Sequence, residues 1–170
     1  MAFRPLLALP LLGLTLIFAC DDPDQLRALD LDELPERFAC ADLTLVAATP
    51  DGSEALLVGI DDGLAAAARA SGAPTEATYE LPDSRLTVRW VAGNNVYQHQ
   101  CGRDTGGSWR LDERREAITG QITVLISPAA DGSLTLNATL DELVLAPMSA
   151  TETSTYELAL TELETLVLEP

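Results

Sequence analysis

The sequence predicts an all-β domain: a sandwich or an open barrel of about eight antiparallel strands, with one short alanine-rich helix. Three observations favour this fold class. Short segments rich in Val, Leu, Ile and Thr alternate apolar and polar residues, which is the pattern of half-buried strands. Turn residues, above all Asp-Gly pairs, separate these segments at short intervals. Only one stretch, around Ala65–Ala68, has the composition of a helix.

The first half of the domain is predicted to begin with a hairpin. Strands Cys40–Ala48 and Glu54–Ile60 flank a Thr-Pro-Asp-Gly-Ser turn. The helix follows over Asp62–Ala70, and we expect an aspartate to cap it and Gly72 to end it. Such a short helix is expected to lie on the sheet as a lid. Three further strands are predicted at Thr78–Leu81, Leu86–Trp90 and Val96–Cys101.

The second half holds the clearest strands. After a glycine-rich loop over Gly102–Arg115, strands Ile118–Ser127 and Leu134–Leu145 are joined by an Asp-Gly hairpin turn. The C-terminal segment Ser154–Leu168 fits both a period of two and a helical period. Its threonines favour strands with a bulge or turn near Glu162.

The first residues are predicted to be an export signal. The apolar run Leu6–Phe18 is too short to span a bilayer and suits the core of a signal peptide over residues 1–19. Ile17-Phe18-Ala19-Cys20 resembles the lipobox of bacterial lipoproteins. The resemblance implies that Cys20 is acylated and anchors the chain in the lipid bilayer of the cell envelope, on a membrane facing the periplasm or the cell surface. An ordinary secretory signal, with Cys20 as a spare thiol, is the alternative.

Behind the signal, the chain divides into two parts. Residues 20–36 are predicted to form the lipidated N-terminus and an acidic tether, and residues 37–170 a single β-sandwich domain. The domain also resembles small lipoproteins of GC-rich Gram-negative bacteria. The resemblance is carried by the Leu81-Pro82-Asp83 turn, Cys101 and the segment Thr119–Val124. It implies no activity.

Charge restricts the class of partner. The chain of 170 residues has a formal net charge of −17, and removal of residues 1–19 takes away Arg4 and makes the charge more negative. A strongly acidic protein is repelled by nucleic acid and by anionic lipid head groups. We therefore expect an envelope protein or polymer as the partner, and no nucleic acid.

The cysteines predict one disulfide. With Cys20 lipidated, Cys40 and Cys101 remain, and an even pair in an exported chain is read as bonded. A metal site is the weaker alternative, because it needs further ligands and His99 is the only histidine.

Catalytic and cofactor motifs do not stand out, and the chain is predicted not to be an enzyme. No Gly-x-Ser-x-Gly, His-Glu-x-x-His or Ser-x-x-Lys pattern occurs. His99 near Cys101 is the sole hint of a hydrolase, since a free thiol beside a base could act as a nucleophile. Asp61-Asp62-Gly63 comes nearest to a calcium loop, yet helix capping explains it. No cofactor and no metal site are predicted.

Aromatic and basic residues in the long loop suggest a contact surface. Trp, Tyr and Arg are enriched at binding hot spots, and the predicted interaction residues are Trp109, Arg110, Arg114 and Arg115. Trp90 is instead expected to fill the core. The sequence thus predicts a lipid-anchored envelope binding or assembly module without catalytic activity. The alternative is a structural accessory lipoprotein stabilised by calcium, and a hydrolase comes third.

Overall fold

The computed structural model describes residues 27–40, 43–60, 62–101, 108–148, 155–158 and 161–168. Within these residues the chain is mostly β-strand, which confirms the predicted all-β class. The strands are β1 (Arg27–Ala28), β2 (Glu36–Cys40), β3 (Thr44–Ala48), β4 (Glu54–Ile60), β5 (Thr75–Glu80), β6 (Leu86–Asn94), β7 (Arg110–Pro128), β8 (Leu134–Pro147), β9 (Tyr156–Leu158) and β10 (Thr161–Leu168). The helices are α1 (Asp62–Ser71) and α2 (Val96–Gln100), and Leu31–Glu33 forms a 3-10 turn.

All the strands belong to one sheet, in the order β1-β9-β8-β7-β6-β4-β3-β2. In addition, β10 pairs with β8, and β5 pairs with β7. The pairings are antiparallel except that of β1 with β9. The sheet curls into an open half-barrel, and β10 returns to the neighbourhood of β2. Of the two predicted architectures, the open barrel is therefore the one observed.

Two long strands form the spine of this sheet. β7 has 19 residues and β8 has 14, and each changes its outer partner halfway along. β7 pairs with β6 through residues 110–116 and with β5 through residues 121–126. β8 pairs with β10 through residues 134–140 and with β9 through residues 143–145. The β7–β8 hairpin consequently connects both sides of the half-barrel.

The main core lies on the inner face of the curled sheet. Alternate strand residues point inward, as the period of two requires. Trp90 is 4% exposed and packs edge-on against Tyr156, with 5.2 Å between the ring centroids, so the prediction that Trp90 fills the core is confirmed. Other fully buried members of this core are Leu45, Leu56, Val58, Ile122, Ile126, Leu136 and Leu140.

A second, smaller cluster lies on the opposite face of β2, β3, β4 and β6. It consists of Cys40, Val46, Ala48, Ala55, Leu57, Val91 and Val96. Because α2 and Cys101 cover this face, β3 and β4 are buried on both sides. That double burial explains why their sequences are nearly continuous apolar runs and not strictly alternating ones.

The helix α1 confirms the alanine-rich helix of the sequence. Ala65 and Ala68 are fully buried, and the helix lies against β5 and β7, as expected for a lid. Gly72 ends it in a left-handed conformation, with φ of 64°, and its N–H donates to the carbonyl of Ala68 at 3.0 Å.

The described part of the predicted tether lies on the domain. Leu31 and Leu34 are buried in the main core, 5% and 1% exposed, and β1 pairs with β9. Asp30 caps the 3-10 turn by accepting a hydrogen bond from the N–H of Asp32 at 2.9 Å. The leucines among the acidic residues bury enough apolar surface to hold the segment in place. Residues 27–36 of the predicted tether therefore pack on the domain.

Two elements differ from the sequence prediction in the middle of the chain. Val96–Cys101, predicted as a strand, begins with the helix α2 (Val96–Gln100). Asn95 turns the chain with φ of 52°, and Val96 then enters the second cluster, so no neighbouring strand is available for pairing. The loop predicted over Gly102–Arg115 ends earlier, because β7 already begins at Arg110.

The C-terminal segment is extended, as favoured. The segment forms strands β9 and β10 and not a helix. The register of β10 against β8 shifts between Leu163 and Leu166, close to the bulge or turn predicted near Glu162. Cys20 and the other residues of the signal lie outside the described residues.

Candidate functional site

A groove opens where β6 and β7 separate. The last register pair between these strands is Arg89 with Glu116, after which β7 turns away and pairs with β5. The gap has a volume of about 650 Å³. Its lining comes from the turn 81–84, the start of β6 (86–88), the bend of β7 (116–118) and the end of β8 (146–148). This volume lies in the range of small-molecule sites.

The bend of β7 creates the groove. Two register shifts against β8 occur, between Ala117 and Thr119 and between Thr119 and Gln121. Gly120 has φ of 121°, and a Cβ placed there would meet Leu143 Cδ2 at 2.5 Å. Only glycine fits this conformation and this close approach without rearrangement.

The turn between β5 and β6 closes one end of the groove. The N–H of Leu81 donates to the carbonyl of Gly120 at 2.9 Å, and the N–H of Leu86 donates to the carbonyl of Asp83 at 3.2 Å. The Leu81–Pro82 peptide bond is cis. Two segments that carried the resemblance to small lipoproteins, Leu81-Pro82-Asp83 and Thr119–Val124, thus meet at the groove.

An exposed ion pair stabilises this turn. Arg85 Nη2 lies 2.7 Å from Asp83 Oδ2, and Arg85 Nε donates to Asp83 Oδ1 at 3.0 Å. The side chain of Arg85, and secondarily its main-chain N–H, lower the pKa of Asp83 to about 2. The turn therefore keeps a fixed charge pair at the rim of the groove at neutral pH.

The groove exposes large apolar side chains. Ile118 is 47% exposed and Met148 is 55% exposed, and both line the groove. Ala146 and Pro147 continue the apolar lining between them. Exposed apolar side chains that line a groove are a common feature of binding sites.

A short edge of β6 runs along the groove. The N–H of Gly93 donates to the carbonyl of Ser53 at 2.8 Å, across β6 and β4. Main-chain groups in an antiparallel strand point alternately to the two neighbours, so the odd-numbered residues down to 87 face β4. The main-chain groups of Leu86 and Val88 accordingly face the other side, where the N–H of Leu86 donates to the carbonyl of Asp83.

Two half-buried arginines lie beside the groove. Arg89 is the register partner of Glu116, and Arg114 precedes Glu116 by two residues, so the three side chains share the outer face of the sheet. The Nε of Arg89 and the Nε of Arg114 are buried without a hydrogen-bond partner. Neither arginine forms an ion pair among the residues that the structure describes.

Two of the predicted interaction residues, Trp109 and Arg110, lie at the far end of β7, away from the groove, whereas Arg114 lies beside it. Trp109 is 46% exposed and stacks on His99, with 3.7 Å between the ring centroids and 10° between the planes. Asn94 Nδ2 donates to the carbonyl of Ser108 at 2.8 Å and holds the chain there. Arg110 Nε lies 2.6 Å from Asp112 Oδ1, so its charge is already paired. Of the predicted set, Trp109 alone presents an exposed and uncharged contact surface.

Arg115 corrects the prediction most clearly. It is 3% exposed, lies on the inner face and forms an ion pair with Glu113. Consequently a partner at the outer surface cannot reach its guanidinium, and the assignment of Arg115 to an interaction surface is wrong. Successive residues of a strand point to opposite faces, so Arg114 and Arg115 lie on different sides of the sheet. Only the curl of the sheet shows that Arg115 is on the inner side.

The cysteine pair agrees with the sequence prediction. Cys40 and Cys101 are at disulfide distance, with 5.3 Å between their Cα atoms, which lies within the usual range. The bond holds the end of α2 against β2 over the second apolar cluster. It also occupies the thiol that a Cys101–His99 nucleophile would need.

The described ranges hold neither a metal-ligand cluster nor a membrane-spanning helix. There, no group of three or more His, Cys, Asp or Glu side chains is placed to hold a metal ion. No helix in the same ranges is long and apolar enough to cross a membrane. Asp62 begins α1, whereas Asp61 lies outside the described residues.

Comparison with known proteins does not assign a family. No protein-family model matches the chain, and neither a curated protein nor a solved structure matches it. The groove was also missed by sequence reasoning. A sequence feature that could have indicated the groove is Ile118, an isoleucine on the solvent side of a strand that otherwise alternates apolar and polar residues.

Proposed function

We propose that the chain is a lipid-anchored envelope binding module without catalytic activity, and that its partner binds in the groove between β6 and β7. The observation that carries this proposal is the exposure of Ile118 and Met148 in that groove. Leaving such side chains in water costs about 25 cal/mol per Å² of apolar area, which a bound partner recovers. The groove, and not the Trp109 end, combines depth with apolar lining.

Anchoring is supported by the N-terminal sequence. Ile17-Phe18-Ala19-Cys20 resembles a lipobox, and acyl chains on Cys20 would hold the domain at a membrane facing the periplasm or the cell surface. The net charge of −17 would keep the domain away from anionic head groups and makes nucleic acid an unfavourable partner. Cysteines at disulfide distance fit an oxidising compartment.

Substitution of Cys20 tests the anchor. Cys20→Ala is expected to release the protein from the membrane fraction or to leave an unprocessed precursor, because no thiol remains for acylation. Fractionation and gel mobility provide the measurement. A variant that stays with the membranes as a processed chain of unchanged mobility would contradict the anchor.

Photo-crosslinking in the cell tests the groove. A photoreactive amino acid is placed at Ile118 in the full chain, and in a matched control at Leu111, which is 36% exposed on the same strand outside the groove. We expect a discrete crosslinked species from position 118 only. Crosslinks from position 111 alone would move the site to the Trp109 end, and equal patterns from both positions would refute the groove as the binding site.

A further inference from the structure

We infer that Met148 is a reversible oxidation site, and that oxidation of its thioether to the sulfoxide weakens partner binding in the groove. The inference rests on the proposed function, because it names a regulation of the same groove. In the forward step, hydrogen peroxide transfers one oxygen atom to Sδ of Met148, so the sulfur is oxidised by two electrons and the peroxide is reduced to water. In the reverse step, the two thiols of a dithiol reductant remove this oxygen as water and are themselves oxidised to a disulfide.

Met148 is open to a dissolved oxidant. It is 55% exposed, the highest value among the exposed large apolar residues of the described ranges. The residue directly follows β8, and its N–H donates to the carbonyl of Arg114 at 3.2 Å, so the backbone is held against β7 where the side chain lines the groove. Peroxide therefore reaches the thioether without any unfolding of the domain.

Met148 has little competition within the chain for a mild oxidant. Met1 and Met148 are the two methionines of the sequence, and Met1 lies in the predicted signal peptide. Cys40 and Cys101 are at disulfide distance, and a bonded pair offers no thiol. Acylation of Cys20 would occupy the remaining thiol. The processed chain would thus offer peroxide a single thioether and no thiol.

The lining around Met148 makes the groove sensitive to this change. Ile118, Ala146 and Pro147 line the groove together with it, and none of these three side chains has a hydrogen-bond donor for a sulfoxide oxygen. An apolar partner that covers this part of the groove would bury the oxygen away from water, which costs free energy unless a donor is supplied. The unmodified thioether has no such cost, because it behaves as an apolar and polarizable group. Oxidation is therefore expected to weaken binding.

The fold is expected to tolerate the oxidation. Met148 belongs to neither of the two buried clusters, and in the unbound protein a sulfoxide oxygen at this position stays in contact with water. Oxidation of a methionine inside a core would instead disrupt packing and lower stability. An effect on binding can consequently be separated from an effect on folding.

Peptide mapping by mass spectrometry and photo-crosslinking test the inference. Membranes are prepared from cells that carry the photoreactive amino acid at position 118, and one portion is treated with hydrogen peroxide before irradiation. We expect one added oxygen at Met148 and a crosslinked species about tenfold weaker than in the untreated portion. Incubation with a methionine sulfoxide reductase and a dithiol is expected to restore both the mass and the crosslink.

Two substitutions separate oxidation of Met148 from other effects of peroxide. Met148→Leu keeps an apolar side chain of similar size that cannot accept oxygen, so peroxide is expected to leave its crosslink unchanged. Met148→Gln places a polar group at the same position and is expected to give the weak crosslink without peroxide. Thermal unfolding of the purified full chain should have the same midpoint before and after oxidation. A large decrease would show that the sulfur serves the fold and would overturn the inference.

The remaining outcomes distinguish this inference from the proposed function. An unmodified Met148, an unchanged crosslink from the oxidised protein, or an equal loss of the crosslink in Met148→Leu overturns the inference and leaves the groove as the binding site. If position 118 captures no partner even in untreated membranes, the proposed function is wrong, and the inference fails with it.

Discussion

The guanidinium of Arg115 lies over the ring of Tyr156, with 3.8 Å between Cζ and the ring centroid. Arg115 Nε donates to Glu113 Oε1 at 2.5 Å, and the hydroxyl of Tyr156 donates to the same oxygen at 3.4 Å. Through these contacts β7 is joined to β9 across β8, inside the half-barrel. The residue therefore serves the fold, because a buried cation is tolerated only when it is paired and hydrogen-bonded.

Replacement of Arg115 is expected to destabilise the domain. Arg115→Met should lower the free energy of unfolding by about 2 kcal/mol, because it removes a buried ion pair and the contact with Tyr156. Arg110→Met is the matched control. Its ion pair with Asp112 is exposed, so a change within about 0.5 kcal/mol is expected. Urea unfolding measures both values, and equal effects would contradict a structural role for Arg115.

Removal of the disulfide is expected to cost more. Cys40 and Cys101 are 61 residues apart, and in the chain-entropy model their bond stabilises the fold by about 4 kcal/mol. Cys40→Ser with Cys101→Ser should therefore unfold at markedly lower urea concentration than the oxidised protein. The reduced wild-type protein serves as the control and should behave like the double variant. Mass mapping that finds both thiols free after export would show that the bond does not form, and the predicted loss of stability would then not apply.

Two glycines should respond very differently to alanine. At Gly93, a Cβ would lie 1.9 Å from the carbonyl oxygen of Arg110, so Gly93→Ala is expected to cost about 3 kcal/mol or more. Gly72 also has positive φ, but a Cβ there meets nothing within 4 Å. Gly72→Ala should consequently cost only about 1 kcal/mol, from backbone strain. Thermal and urea unfolding test the pair, and similar losses would show that the close approach at Gly93 is easily relieved.

Acid stability should depend on two turn aspartates. The N–H of Ser53, helped by the Thr49 and Ser53 hydroxyls, lowers the pKa of Asp51 from 3.8 to about 2, and Arg85 lowers that of Asp83 likewise. Lowered pKa values stabilise the fold above pH 3.8, and this contribution is lost as pH falls from 3.8 to about 2. The difference in stability between wild type and Asp51→Asn/Asp83→Asn should shrink over this interval. A difference that is independent of pH would exclude titration of these groups as the cause.

Local patterns predicted the elements well where the apolar period was clear. The hairpin of β3 and β4, the helix α1 and the long strands β7 and β8 were all visible, because alternation, Asp-Gly turns and an alanine run act over a few neighbouring residues. The error at Val96–Gln100 has the same origin. The sequence of five residues without a strong apolar period does not indicate whether a neighbouring strand pairs with them. In the structure, the packing of Val96 in the second cluster favours a helix.

By itself, the sequence determined the all-β class, the turns, the cysteine pair and the acidic charge, since composition and short-range pattern carry that information. Only the tertiary structure decided which face of a strand is inside and where strands part. Arg114 and Arg115 are neighbours with similar chemistry, yet the curl of the sheet leaves one beside the groove and buries the other. The groove itself arises because β7 exchanges β6 for β5 at Gly120, and pairing between residues far apart in the chain cannot be inferred from local period alone.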